Sequence, residues 1–198
     1  MSKGIRETDE FVLFWGGWPS QWCKARFVVD GVAFNCCEQY MMAEKAAVFG
    51  DMEAHGRILA SSNPKQQKAI GRTVRGFDEQ VWNSVCRGIV YAGNLARFSQ
   101  NEAMRADLLA TGEKTIVEAS PTDRIWGIGL APDDERALDR TEWRGTNWLG
   151  VALMQVRQTL REKSGCRAEE SDDVLAKQLA ARSAIRARTA AALTAVRS

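Results

Sequence analysis

The chain has 198 residues, 45% of them hydrophobic and 26% charged, proportions that exclude both a disordered and a collagen-like chain. Twenty-seven Lys and Arg against 25 Asp and Glu leave a net charge of +2, which by itself marks no nucleic-acid binder. The polar start MSKGIRETDE lacks an apolar signal core and no run approaches the length of a membrane span, so a cytoplasmic protein with no membrane attachment is expected.

In chain order, the first forty residues read as extended structure. "FVLFWGGWPSQW" holds three tryptophans, two glycines and a proline, and predicts an aromatic loop rather than a regular strand, with Trp15, Gly16 and Trp22 as candidate binding walls. "RFVVDGVAF" places Asp30-Gly31 between two β-branched runs and predicts a tight hairpin. Helices follow over about 37–49 and 51–60, from Pro64 with Asn63 as its cap, from Asp78 to about Ala96, and within "FSQNEAMRADLLATG", closed by Gly112. "KTIVEAS" and "RIWGIGL" predict two short strands around Pro121. "GTNWLGVALMQVRQTLREK" then closes the main body as an amphipathic helix whose N-terminus is a natural anion site. The remaining stretch, 164–198, is rich in alanine and arginine. Ser171 and two aspartates start a helix there with a thin apolar face, and its Arg182, Arg186 and Arg188 are read as solvated, with phosphate contact as the alternative.

Cysteines at 23, 36, 37, 86 and 166 are odd in number and contain no C-x-x-C, so reduced thiols are expected, with neither a disulfide framework nor a zinc ribbon. The single histidine, His55, cannot build a multi-histidine metal site and reads as a surface residue.

The most informative segment is "CEQYMMAEKAAVF". At 100° per residue its apolar stripe runs through Met41, Met42, Ala46, Val48 and Phe49, and the stripe is centred on Glu38 and Lys45, whereas Glu44 falls opposite. Seven residues of helix separate the pair by roughly 10 Å, room for a sugar-sized ligand between the side chains. Burying two charges costs several kcal/mol per ion unless compensated, which favours functional retention over a structural ion network. Desolvation raises a glutamate's pKa and lowers a lysine's, as general acid–base or imine chemistry requires near neutrality. The second informative segment is "VEASPTDRIWGIG", where Glu118, Asp123, Arg124 and Trp126, with Gly127 and Gly129 for close backbone approach, suit a phosphorylated sugar attached to a planar base.

Taken in order, "FWGGWPSQW", "DGVAFNCCEQYMMAEKAAVFGD", "NPKQQKAIGRTVRGFD", "VWNSVCRGIV", "RFSQNEAMRADLLATGEKTIVEASPTDRIWGIGL" and "WRGTNWLGVALMQVR" resemble the NADAR, or YbiA-like, family from about Phe11 to Leu160. The resemblance implies a compact, helix-rich α+β domain with a small β-sheet, assigned to 1–163, with no metal and no cofactor; the helical extension 164–198 lies outside the resemblance. It further implies N-glycosidase activity on a base–ribose C1–N bond. Candidate substrates are ADP-ribosylated guanine in DNA and a ribosylamino-pyrimidine phosphate of riboflavin synthesis. Glu38, Lys45 and Asp123 match the positions implied as catalytic. Arg72, Glu118, Arg124, Trp126 and Asn147 match segments implied to bind substrate, and Trp15, Gly16, Trp22 and Gly127 complete the candidate binding set, although the entry loop "FWGGWPSQW" departs from the "FSNFYP"-like version of many relatives. "EQYMM" stands where relatives have "EHYMQ", so Gln39 removes a possible titrating neighbour and bears on substrate choice. The rival from another class is a non-catalytic module that binds ADP-ribose or an NAD derivative.

Overall fold

The computed structural model describes residues 4–165. The Ala/Arg-rich stretch with its expected helix from Ser171, and Cys166, lie outside them. The fold is α+β, with strands β1 (Ile5–Glu7), β2 (Phe11–Phe14), β3 (Phe27–Val29), β4 (Val32–Phe34) and β5 (Thr115–Glu118). Its helices are α1 (Cys37–Val48), α2 (Met52–Ala60), α3 (Pro64–Gly71), α4 (Glu79–Gln100), α5 (Glu102–Ala110) and α6 (Trp148–Gly165). By contact, the described residues fall into one unit of 4–37 and 90–161 and a second of 38–89 and 162–165.

In the first unit, β2 is the centre of a three-stranded sheet, antiparallel to β1 and parallel to β5. All four β2 residues are buried, as a central strand covered on both faces requires. The aromatic segment expected to be all loop is thus strand for its first four residues and turns irregular only at Trp15, where Gly16 and Gly17 adopt φ of +102° and +70°. Strand β1, inside the polar start, has no apolar pattern to announce it. Asp30 and Gly31 both have positive φ, the two-residue turn predicted between β3 and β4. Gln100 closes the outer edge of β3: its amide donates to the Val28 carbonyl and accepts from the Val28 N–H, both at 2.8 Å.

"RIWGIGL" is not a strand. The Asp123 carboxylate accepts from the N–H groups of Ile125 and Trp126 at 2.9 and 2.8 Å and bends the chain there, and Gly129 takes φ +71°. The carbonyls a strand would pair with a neighbouring strand are taken by the segment that opens α6. Arg124 O receives Thr146 N–H, Trp126 O receives Leu149 N–H and Ile128 O receives Arg144 N–H.

The second unit carries α1, α2, α3 and the first half of α4. Asp51 and Asn63 cap α2 and α3 as polar N-caps should, and Asp78 accepts from Val81 N–H to open α4. Gln39 donates from its amide to the carbonyls of Ile58, Leu59 and Ser61, ending α2 on α1. Gly71 exists for packing: a Cβ there would sit 2.9 Å from Cγ of Met42 and closer still to its sulfur.

Candidate active site

Helix α1 carries the paired charges. Glu38 is 2% exposed and Lys45 is half-buried. The stripe expected from periodicity is too narrow, because Cys37 through Ala43 are all buried. Glu38 is withdrawn from water because the first two turns are covered on every side, and Glu44, expected to face outward, is itself half-buried. Glu38 lies in the first helical turn and Lys45 in the last, the ends at which the helix dipole favours an anion and a cation.

Around Lys45 the sequence pattern missed two neighbours. Its Nζ lies 4.0 Å from the centroid of the Phe77 ring and 5.7 Å from that of Trp82. Phe77 stands edge-on to Phe49 at 5.3 Å and is still 46% exposed. Burial pushes the Lys45 amine below the usual lysine range, and the Arg72 guanidinium adds like charge in the same direction. The rings act oppositely, since their faces stabilise the ammonium. Arg72 is exposed and caps α3, its N–H donating to the Lys68 and Ala69 carbonyls.

The loop carrying Arg72 and Phe77 is latched by Asp51. Its carboxylate accepts from Ala54 N–H, from Arg75 N–H at 2.9 Å and from the Arg75 guanidinium at 2.8 and 3.2 Å. These bonds hold the Asp51 carboxyl well below the usual carboxylate range. A lone Gly-Asp pair after a helix gives no sequence warning of this latch, whose partners are 24 residues apart.

In the first unit, Trp15 and Trp22 are 56% and 42% exposed, while Trp18 packs edge-on against Phe98 at 5.9 Å. Gly16 has open space where a side chain would go, so its positive φ, not a close approach, demands glycine there. Beneath this loop lies a polar anchor that periodicity did not find. The fully buried Arg97 donates to the carbonyls of Ser20 at 2.7 Å and Pro19 at 3.2 Å and to Asn94 Oδ1 at 2.8 Å, while Asn94 donates to Gln21 Oε1 at 3.0 Å. The only trace in the sequence is an arginine and an asparagine three apart among the apolar residues of α4.

Glu118 ends β5, half-buried; its N–H donates to Asn147 Oδ1 and its carbonyl accepts from Ile128 N–H. Asn147, expected at the substrate, is 2% exposed with φ +52°, and its amide also donates to Ile116 O at 2.9 Å. Its two polar atoms therefore brace β5. Gly127, expected to admit a ligand, is packed by the chain itself: a Cβ would lie 2.7 Å from Glu118 O and 3.0 Å from Asp123 O. The α6 N-terminus, read as an anion site, has the N–H groups of Trp148 and Leu149 already bonded to Ile125 O and Trp126 O. Arg124 is exposed, and the half-buried Trp126 stands edge-on to Trp148 at 5.8 Å.

The described cysteines, Cys23, Cys36, Cys37 and Cys86, are free thiols, and among the described residues no group of three His, Cys, Asp or Glu is placed to hold a metal. No helix among them is long and apolar enough to cross a membrane.

Comparison with known proteins gives a consistent set of likenesses. The profile of the NADAR domain matches residues 13–161. The chain is 41% identical over 165 residues to N-glycosidase R617 of Acanthamoeba polyphaga mimivirus, covering 77% of this chain and 97% of that one. It is 46% identical over 129 residues to protein irg-1 of Caenorhabditis elegans, covering 64% of this chain and spanning 61% of that protein's length. Among solved structures, the NMR structure of the E. coli protein YbiA superposes with a TM-score of 0.68 at 25% identity, covering 86% of this chain and 96% of that one.

Proposed function

The chain belongs to the NADAR family, and from that premise we propose that it hydrolyses the C1–N bond between a base and a ribose that carries phosphate, as a free ribosylamino-pyrimidine phosphate or as ADP-ribose on guanine in DNA. It is a hydrolase of N-glycosyl bonds, as its relative R617 is named. Departure of an aromatic amine builds positive charge on the sugar, so a carboxylate near C1 stabilises the transition state while a proton reaches the leaving nitrogen. Glu38 is assigned this acid–base work. Lys45 serves either as a cation that holds hydroxyls or phosphate, or as a neutral amine that attacks C1 of the ring-opened sugar. In the second role it displaces the base and forms an imine, which water then hydrolyses.

The single observation that carries this reading is Lys45 itself, an amine half out of water whose pKa burial and Arg72 both lower. A lysine kept merely for solubility needs neither. Arg72 and Arg124 are assigned to phosphate, Asp123 to sugar hydroxyls through the turn it holds, Glu118 to hydroxyls, and Trp15, Trp22 and Trp126 to the base. Gly16 and Gly127 shape the backbone around them, and Asn147 is assigned a positioning role through β5.

The deciding experiment incubates the full chain with a ribosylamino-pyrimidine phosphate, NAD and an ADP-ribosylated guanine oligonucleotide, and reads released base by mass spectrometry. Turnover of one, lost in Lys45→Ala with the fold intact by circular dichroism, is the expected result. Tight binding of ADP-ribose without any bond cleavage would replace this reading with the non-catalytic module. Borohydride added during turnover should fix substrate on Lys45 if the imine forms; no adduct together with an active Lys45→Arg excludes the imine while leaving the hydrolase.

A further inference from the structure

Arg124 and Arg144 flank the same glycine. A methyl group placed on Gly129 would lie 3.0 Å from Cβ of Arg144 and 3.1 Å from Cγ of Arg124, so the two side chains leave their backbones beside one point. Both roots are rigid. Arg124 O accepts from Thr146 N–H at 3.0 Å, Arg144 N–H donates to Ile128 O at 2.9 Å, and a Cβ on Gly145 would lie only 2.6 Å from Arg124 O.

Both arginines are exposed, and neither guanidinium makes a hydrogen bond or ion pair among the described residues. Most other arginines of the same unit are engaged, Arg6 with Glu135, Arg136 with Asp134, Arg140 with Thr115 and Arg161 with Glu113. Neither nearby acid pairs with them: Asp123 accepts through Oδ1 from the Ile125 and Trp126 N–H groups, and Asp134, which feels the charge of Arg144, binds Arg136 at 2.7 Å. Two like charges rooted this close repel each other. An anion between them turns that repulsion into two charge-assisted contacts, and a planar guanidinium fits phosphate oxygens in bidentate fashion.

We infer that Arg124 and Arg144 form a two-arginine clamp for a phosphate or diphosphate group, with Gly129 as the gap that lets both reach it. The inference rests on the glycosidase reading and narrows its substrate to esters whose phosphate is itself a recognition element. Arg144 is the new member and its contribution is to specificity, not to bond cleavage.

Two measurements on the full chain test it. Titration calorimetry with ADP-ribose and with inorganic pyrophosphate should show Arg144→Gln binding about tenfold more weakly or worse, the loss of one charge-assisted hydrogen bond, with Arg144→Lys intermediate. Arg26→Gln, at an exposed arginine whose guanidinium likewise has no partner among the described residues, should bind as wild type. In turnover of the ribosylamino-pyrimidine phosphate, Arg144→Gln should raise KM with kcat retained, and should not change the rate on the same ribosylamino-pyrimidine after a phosphatase has removed its monoester phosphate. Absence of saturable binding of both probes to the wild type overturns the clamp, as does an Arg144→Gln protein that loses the same factor on phosphorylated and dephosphorylated substrates. Arg144-dependent binding in a wild type that cleaves none of the substrates keeps the clamp and sinks the glycosidase reading instead.

Discussion

An amine partly covered by protein loses hydration of its charged form and releases its proton more readily than one in water. At Lys45 this burial is reinforced by Arg72. Below the ordinary lysine value of 10.5, the kcat/KM profile of the free enzyme should therefore show a limb that rises with pH where Lys45 attacks as the neutral amine, and one that falls where it acts as a cation. Replacing Arg72 with Gln removes a like charge and should move that limb upward, whereas Arg72→Lys should leave it near the wild-type position; pH–rate profiles of the three proteins check this. Glu38→Gln keeps the shape of a buried side chain but cannot give or take the proton, and should cost at least about a hundredfold in kcat. A rate within a few-fold of wild type would remove Glu38 from acid–base work. At this scale much was legible: Glu38 and Lys45, two charges on the helix face read as apolar, stand out without coordinates. Phe77 and Trp82 did not stand out, because they meet the lysine from another stretch of chain.

Elements here are held by a few polar side chains whose loss should be measurable. Asp51 joins the start of α2 to the loop that carries Arg72 and Phe77. Its folded-state pKa lies below its ordinary 3.8, so its contribution to stability is full above that value and fades as pH falls through it. Asp51→Asn keeps an acceptor for Ala54 N–H but no ion pair, and should flatten the acid dependence of the urea midpoint below about pH 4. An unchanged acid limb would show that the latch does not matter to folding. Asn147→Ala leaves the Ile116 carbonyl and the Glu118 N–H without their partners and should cost at least about 1–3 kcal/mol by denaturant titration. Helix boundaries were readable at this scale because caps such as Asn63 and Asp78 act on bonds two or three residues away. The segment "RIWGIGL" was misread because alternation of apolar residues is a local property, while a strand needs a neighbour whose free carbonyls and N–H groups match its own. The chain offers it Asp123 and the start of α6 instead.

For the whole molecule, the family match ends at residue 161 and α6 at Gly165. A chain ending after Gly165 is therefore expected to keep the turnover and thermal midpoint of the full chain; loss of either would assign the Ala/Arg-rich stretch to the catalytic body. From sequence alone came the α+β class, through the likeness to the NADAR family, and also most helices, the Asp30-Gly31 hairpin and the suspicion attached to Glu38 and Lys45, because caps, turn residues and misplaced charges act over one or two helical turns. Tertiary structure alone decided that β2 pairs in parallel with β5 about a hundred residues later, that Arg97 lies buried under the tryptophan loop, that Asn147 is a brace, and that Arg124 and Arg144 share one glycine. Each depends on hydrogen bonds or contacts between residues far apart in the chain, and local propensity holds no record of which distant groups will satisfy one another.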